Sequence, residues 1–327
     1  MGGPIISLKI RPSREARRLA ERYGYLAYMV ERYIELLGVE ETKELLEANE
    51  EPLPETIRCN DYIIDCRELA HRLEAKGFEL KPLHLAPHGL VVARQPISIG
   101  ATLEYLQGFY YIQDPASMLV AYEIEPRPRE TVLDMAAAPG GKATQILQLS
   151  RDQVFLVAVD ISRRRMRSLR SNINRMRFRN YILIRGDSRK LNLHRTVDKV
   201  LLDAPSSGEG IIRKDPTRKR SRSLEDILSL SALQADMLSA AVNYVKEGGV
   251  IVYSACTLAP EEGEAVISYV LERHPDVEVV PLSIPHSPGV DEYFGVKFNG
   301  SVRKCGRLYP HIHGTEGFFI CKLIKRP

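Results

Sequence analysis

The chain has 327 residues, 46 Lys and Arg against 42 Asp and Glu, and a formal net charge of +4. Its 44% hydrophobic and 27% charged residues are the balance of a soluble globular protein and exclude collagen-like, mucin-like and intrinsically disordered classes. The length predicts about two domains. No run reaches the roughly 18 apolar residues of a membrane helix, and the opening stretch MGGPIISLKIRPSREARR has no basic region leading into an apolar one, so neither a membrane span nor a secretory signal is expected.

In chain order, residues 1–50 read as helical. SREARRLAERYGYLAYMVERYIELLG has apolar positions at helical spacing, and VEETKELLEAN follows Gly38. EPLPE (51–55) is a turn or linker. A small α+β unit then runs to residue 108, with strands TIRCN, FELKPL and GLVVARQ and a helix CRELAHRLEAKG (66–77). From residue 109 strands and helices alternate. The predicted strands are VLDMA (132–136), VFLVAVD (154–160), YILIRGD (181–187), KVLLDAP (199–205) and GVIVYSAC (249–256). A helix is expected over PEEGEAVISYVLERH, with Pro260 at its start and Glu261 and Glu262 at the positive end of its dipole. VEVVPLSI (277–284) and GFFICKL (317–323) are late strands with no helix between them. The alternation predicts an α/β, doubly wound, mostly parallel sheet with an antiparallel terminal strand.

Five scattered cysteines, Cys59, Cys66, Cys256, Cys305 and Cys321, form no C-x-x-C pair. They argue against a disulfide framework and a zinc ribbon and for free thiols in a reducing cytosol. His84, His88, His311 and His313 match no zinc spacing, so no metal is expected. Basic residues cluster in DISRRRMRSLRSNINRMRFR (160–179) and RKDPTRKRSR (213–222). Clusters of this kind fit a polyanionic partner, most simply nucleic acid, or solvated faces.

In open α/β sheets ligands bind beyond the carboxyl ends of the strands. Those ends carry Asp134 with the loop Ala136, Ala137, Ala138, Pro139, Gly140, Gly141 and Lys142, then Asp160, Asp187, Asp203 with Ser206, and Cys256. The first loop is neither a P-loop nor a G-x-G-x-x-G fingerprint, but its glycines allow close backbone approach to a ligand. Asp160 is placed for ribose hydroxyls and Asp187 for an adenine amino group. A nucleoside that is not a triphosphate fits, and S-adenosylmethionine is the candidate. Cys256, at a strand tip before a helix start, is a candidate thiolate.

YIQDPASML (111–119), DMAAAPGGKATQ (134–145), VDISRRRMRSLRSNINR (159–175), RGDSRK (185–190), DAPSSGEG (203–210), RKDP (213–216), YSACTLAPEEGE (253–264) and RLYPHIHGTEGFFICKL (307–323) together resemble the RNA (cytosine-C5)-methyltransferases of the NOL1/NOP2/Sun family, archaeal tRNA-type. The resemblance implies a class I methyltransferase domain over 109–327, preceded by an RRM-like RNA-binding module over 51–108 and the helical segment 1–50. It implies that Cys256 adds to C6 of cytosine and makes C5 nucleophilic. Asp203 would hold the cytosine N3/N4 edge, with Lys142 paired to it. Ala136 to Lys142, Asp160, Arg165, Asp187 and Asp203 would hold the cofactor. One position departs from the pattern: Ser206 stands where the family carries a second cysteine assigned to product release, and a hydroxyl is a poor base. A water or another group then removes the C5 proton, release is slow, or the position was changed by engineering. The expected substrate is structured RNA, tRNA with rRNA as the alternative, acted on by a cytoplasmic monomer. The competing readings are a non-catalytic RNA-binding or ribosome-assembly factor, and a methyltransferase for a small molecule or protein.

Overall fold

The computed structural model describes residues 5–327, so the first four residues of the N-terminal segment lie outside the described residues. Three helices come first: α1 (Arg14–Tyr23), α2 (Ala27–Leu37) and α3 (Val39–Ala48). Ser13 caps α1 by accepting from Ala16 N, and Gly24 ends it in the left-handed region at φ 77°, where a side chain would be strained. Their inward faces bury Leu19, Met29, Val30, Tyr33, Leu45 and Leu46 against Ile212, Leu258 and Tyr309. At about 1.5–3 kcal/mol per large buried side chain, this ties the helical segment firmly to loops of the larger domain.

A four-stranded antiparallel sheet follows, built from β1 (Thr56–Cys59), β2 (Glu79–Pro82), β3 (Gly89–Arg94) and β4 (Tyr110–Ile112), with α4 (Cys66–Glu74) and α5 (Leu103–Leu106) between strands. The strand order is β2-β3-β1-β4. Because β4 pairs with β1, Ile57 opposite Ile112, this sheet runs past the expected boundary at residue 108.

The large domain comprises α6 (Pro115–Ile124), β5 (Thr131–Asp134), α7 (Gly141–Leu149), β6 (Phe155–Asp160), α8 (Arg163–Arg175), β7 (Tyr181–Arg185), β8 (Val197–Asp203), α9 (Leu224–Tyr244), β9 (Val245–Ala255), α10 (Glu264–Arg273), β10 (Val277–Val280), β11 (Ser287–Pro288), β12 (Glu292–Tyr293), β13 (Val296–Lys297), β14 (Gly306–Leu308), α11 (Pro310–His313) and β15 (Phe318–Lys325). Its main sheet runs β11-β14-β15-β9-β8-β5-β6-β7, with β10 on β15. Strands β5 to β9 are parallel, and β15 lies antiparallel to β9. Alternate residues enter opposite cores. Leu133, Val157, Val159, Leu202 and Tyr253 pack under α9 and α10, whereas Val132, Leu156, Ala158, Leu201 and Val252 pack under α6, α7 and α8. Burial on both faces explains why these strands read as continuous apolar runs. The doubly wound sheet with an antiparallel end is the architecture expected.

Three local expectations are corrected. Four of the five cysteines are bridged, as Cys59–Cys66 and Cys305–Cys321, leaving only Cys256 free; scattered spacing hid pairs that the sheets bring together. Helix α10 begins at Glu264, not Pro260. Glu261 and Glu262, expected at the positive end of its dipole, instead precede the helix and are fully buried. Glu261 pairs with Arg32, and Glu262 accepts from Ser207 and Thr257. Between β10 and β15, finally, lie short strands and the one-turn helix α11.

Candidate active site

Backbone geometry forms the glycine loop. After β5 the chain turns through Ala136–Pro139, and Gly140 sits at φ 113°, with room for a Cβ only 3.0 Å from Leu169 Cδ1. Gly141 then opens α7 and brings Lys142 into its first turn. The loop is braced from the small sheet by Arg58, a fully buried guanidinium that donates to Gly141 O at 2.8 Å, Thr144 Oγ1 at 2.9 Å and Gln148 Oε1 at 2.9 Å. The loops after β8 and β9 are locked to the segment before β15. Gly210 N donates to Cys256 O, Gly317 N donates to Gly210 O, and a Cβ on Gly210 would stand 1.8 Å from Gly317 O.

These loops enclose two clefts that share Ala136 and Asp203. One, of about 360 Å³, holds Cys256, Lys142, Ala136–Pro139, Gly141, Asp134, Asp114, Ser117, Lys214 and Glu316. The other, of about 300 Å³, holds Asp160, Ile161, Arg165, Asp187, Arg189, Leu233 and Met237. Asp203 stands between them. Its Oδ2 accepts from Lys142 Nζ at 2.8 Å and its Oδ1 from Ser254 Oγ at 2.8 Å. Lys142 also donates to Ser117 Oγ at 2.9 Å. Burial alone would lower the Lys142 ammonium, but Asp203, Cys256 and Asp134 outweigh it and hold the lysine above its ordinary value, so it stays charged.

Cys256 lines the first cleft half-buried. Burial pushes its thiol well up, Asp203 adds to this, and Lys142 pulls the other way. The expectation of a resting thiolate beside helix amides is therefore corrected: α10 starts eight residues later, and the group is a neutral thiol until a proton acceptor acts on it. Ser206 lines neither cleft; its hydroxyl donates to Cys256 O at 3.5 Å.

In the second cleft Asp160 accepts from Ser162 N at 2.8 Å and lies 3.6 Å from Arg165, whose guanidinium also donates to Ala138 O. Asp187 is engaged by Arg189 at 2.7 Å, which holds its carboxyl below the usual range. Arg189 therefore competes with any ligand amino group for that carboxylate.

Asp134, one of the acids marked at the strand ends, and Glu316, which was not singled out in the sequence, both line the first cleft. Asp134 is pushed up to about 7 by burial and by Asp203. Glu316 is pushed up to about 7 by burial and by Asp114, while Ala116 N and Ser117 N donate to it at 3.4 Å. Their signals were present in DMAAAPGGK and HGTEGFF, but only folding shows that both carboxyls are dry. His311 and His313 serve structure, the former 3.3 Å from Glu41 and the latter accepting from Tyr309 N. Among the described residues no group of three or more His, Cys, Asp or Glu is placed to hold a metal ion.

Residues 121–324 match the family of the 16S rRNA methyltransferase RsmB/F, and residues 27–115 match the N-terminal domain of 16S rRNA methyltransferase RsmF. The 25S rRNA (cytosine-C(5))-methyltransferase nop2 of Schizosaccharomyces pombe is 40% identical over 311 residues, covering 93% of this chain and 51% of that protein. Ribosomal RNA small subunit methyltransferase F of Citrobacter koseri is 34% identical over 290 residues, covering 86% and 59%. The chain thus spans about half the length of the curated relatives it matches. Among solved structures, a methyltransferase homolog protein from Pyrococcus horikoshii superposes with a TM-score of 0.86 at 38% identity, over 96% of this chain and 99% of that one. NSun6 from Pyrococcus horikoshii, solved with SFG, gives 0.82 at 26% identity, over 91% and 97%. With a matching catalytic-domain family, a matching N-terminal domain and the same fold across nearly the whole chain, this protein belongs to the RsmB/RsmF methyltransferases of the NOL1/NOP2/Sun family.

Proposed function

We propose that the chain methylates C5 of a cytosine in structured RNA, using S-adenosylmethionine. The observation that carries this is the meeting of two clefts at Asp203, with the free thiol of Cys256 on one side and a nucleoside-shaped set of groups on the other. Asp160 is a buried carboxylate suited to ribose hydroxyls, and Ile161, 72% exposed, with Leu233 and Met237 offers apolar surface to an adenine ring. The residues therefore fit the cofactor, and SFG, an S-adenosylmethionine analogue, in a structure of the same fold supports it. When bound, that cofactor supplies a methyl group on a sulfonium, which a carbon nucleophile displaces.

The chain's own residues do the rest. The base must leave its stack to enter the Cys256 cleft. Asp203, fixed by Lys142 and Ser254, holds the N3/N4 edge, and the Lys142 charge stabilises negative charge arising there. The Cys256 proton passes by way of Asp203 to N3 of the base, the sulfur bonds to C6, and the C5=C6 electron pair moves onto C5, which becomes the carbon nucleophile. Release requires loss of the C5 proton and cleavage of the S–C6 bond. With Ser206 outside the cleft, the Glu316 carboxyl is the neighbouring group whose raised value suits it to accept a proton near neutral pH.

One chain builds both clefts, so the reading requires no second copy. Relatives named for 25S and small-subunit rRNA support a ribosomal substrate, with tRNA as the other RNA to be tested. The experiment is methyl transfer from radiolabelled cofactor to rRNA and tRNA, followed by bisulfite sequencing. The wild type should form 5-methylcytosine and Cys256→Ala none; methylation that survives Cys256→Ala overturns the proposal. With a serine hydroxyl outside the cleft, turnover should be slow, so a covalent RNA adduct should be visible on a denaturing gel for the wild type and absent in Cys256→Ala.

A further inference from the structure

Helix α8 carries Arg163, Arg164 and Arg165 in its first turn and no acidic residue there. Cations at this end oppose the helix dipole, and like charges at i, i+3 and i, i+4, such as Arg163–Arg167 and Arg167–Arg170, repel one another. Only Arg165 among them meets a carboxylate. Among the described residues Arg163, Arg164, Arg167 and Arg170 are exposed and lie within 4.0 Å of none. The fold gains nothing from this row.

Its position is informative. The inner side of α8 backs the glycine loop: Arg165 reaches Ala138 O, and Asn172 Nδ2 donates to Pro139 O at 3.0 Å. Its far end meets the small sheet, where Arg175 stacks 3.9 Å from the Tyr105 ring centroid, and Arg177 and Arg72 flank Phe109 at 5.9 and 5.6 Å. Leu103 and Leu106 of α5, 65% and 64% exposed, continue this platform. The start of α8, through Ile161 and Arg165, thus stands at the rim of the cofactor cleft, and its end, through Arg175, at an apolar and cationic ledge on the N-terminal module; Arg163, Arg167 and Arg170 run between these ends on the face shared with Asn174, which bonds Tyr181 of β7.

We propose that this face is the track for the single-stranded RNA segment flanking the target base. Phosphates lie on Arg163, Arg167 and Arg170, and an unstacked base rests on the ledge at Phe109, Leu103 and Leu106. Unpaired guanidiniums in a row match a phosphate backbone, and apolar surface beside arginine accepts a base face. The proposal rests on RNA being the substrate and adds where it is held.

The test is fluorescence anisotropy with a short cytidine-containing single-stranded RNA across a salt series. For single strands the slope of log affinity against log salt is about −0.7 per phosphate contact, so the triple variant Arg163→Gln, Arg167→Gln, Arg170→Gln should lose about 2 from the slope. Between 50 and 200 mM salt the wild type should therefore lose about 20-fold more affinity than the variant. Leu103→Gln with Leu106→Gln should weaken binding and leave the slope unchanged. Arg273→Gln with Arg303→Gln, on α10 and the turn before β14, far from the β7 edge, should change neither. An unaltered slope in the triple variant overturns the proposal, as does an equal drop in the Arg273/Arg303 control. A wild type that binds along this face but makes no 5-methylcytosine would instead defeat the proposed function and leave the track standing.

Discussion

The two basic stretches, α8 and the loop 213–222, are nearly alike as strings of letters and opposite in use. In the loop almost every cation is engaged inside the molecule. Lys219 bonds Glu50 and Tyr23 O, Lys214 bonds Asp114, Arg218 bonds Asp215, and Arg213 and Arg220 donate to Glu51 O and Gly24 O. The loop fastens the N-terminal helices to the large domain. On α8 the outer arginines meet no acid. Charge density along a sequence therefore does not say whether charge is available to a partner; that depends on acids and carbonyls supplied from elsewhere in the chain.

The comparison breaks most visibly at the buried end of the loop region. Arg32 of α2 bonds Glu209 at 2.5 Å and Glu261 at 2.8 Å, with all three side chains buried. Arg32→Leu should cost about 3–5 kcal/mol by leaving two carboxyls facing each other without a cation; a denaturation midpoint close to wild type would show that the clamp is not structural. Glu209 supplies a pH arm to the same comparison. Burial pushes it up to about 7 despite Arg32. Its folded value is above the ordinary 4.5, so its contribution is full below 4.5 and is lost as pH rises through about 7. Thermal stability should decline across that window, less steeply in Glu209→Gln, though not flat, since Asp134 and Glu316 titrate there too. An unchanged profile would refute the assignment.

Smaller effects sharpen the contrast. Lys219→Ala removes a partly exposed pair and a lysine 5.1 Å from the Tyr25 ring centroid, and should cost about 1 kcal/mol while leaving the salt slope of RNA binding intact. Arg164→Gln should do the reverse: stability should stay within about 0.5 kcal/mol of wild type, shifted towards gain because a cation leaves the positive helix end. A Lys219→Ala protein with a reduced slope, or a clearly destabilised Arg164→Gln, would collapse the distinction between the two stretches.

Much of the molecule was legible from local pattern. Apolar runs bounded by turns marked strands β5 to β9, and the acids and the cysteine at their carboxyl ends marked the clefts, because side-chain alternation and strand polarity are properties of short segments. Asp203, Lys142 and Cys256 came together for this reason, and the long matching motifs placed the chain in its family. What stayed hidden depended on distance along the chain. The bridges Cys59–Cys66 and Cys305–Cys321, the burial of Glu261 and Glu262, the raised carboxyls of Asp134 and Glu316, and the withdrawal of Ser206 from the cleft all follow from how separate loops pack. Local pattern was enough to specify the doubly wound sheet and the residues carried to its edge. Long-range packing settles which charges are neutralised and which remain open, because an ion's partner and its contact with water are set by groups as far away as Glu261 is from Arg32, a separation of 229 positions.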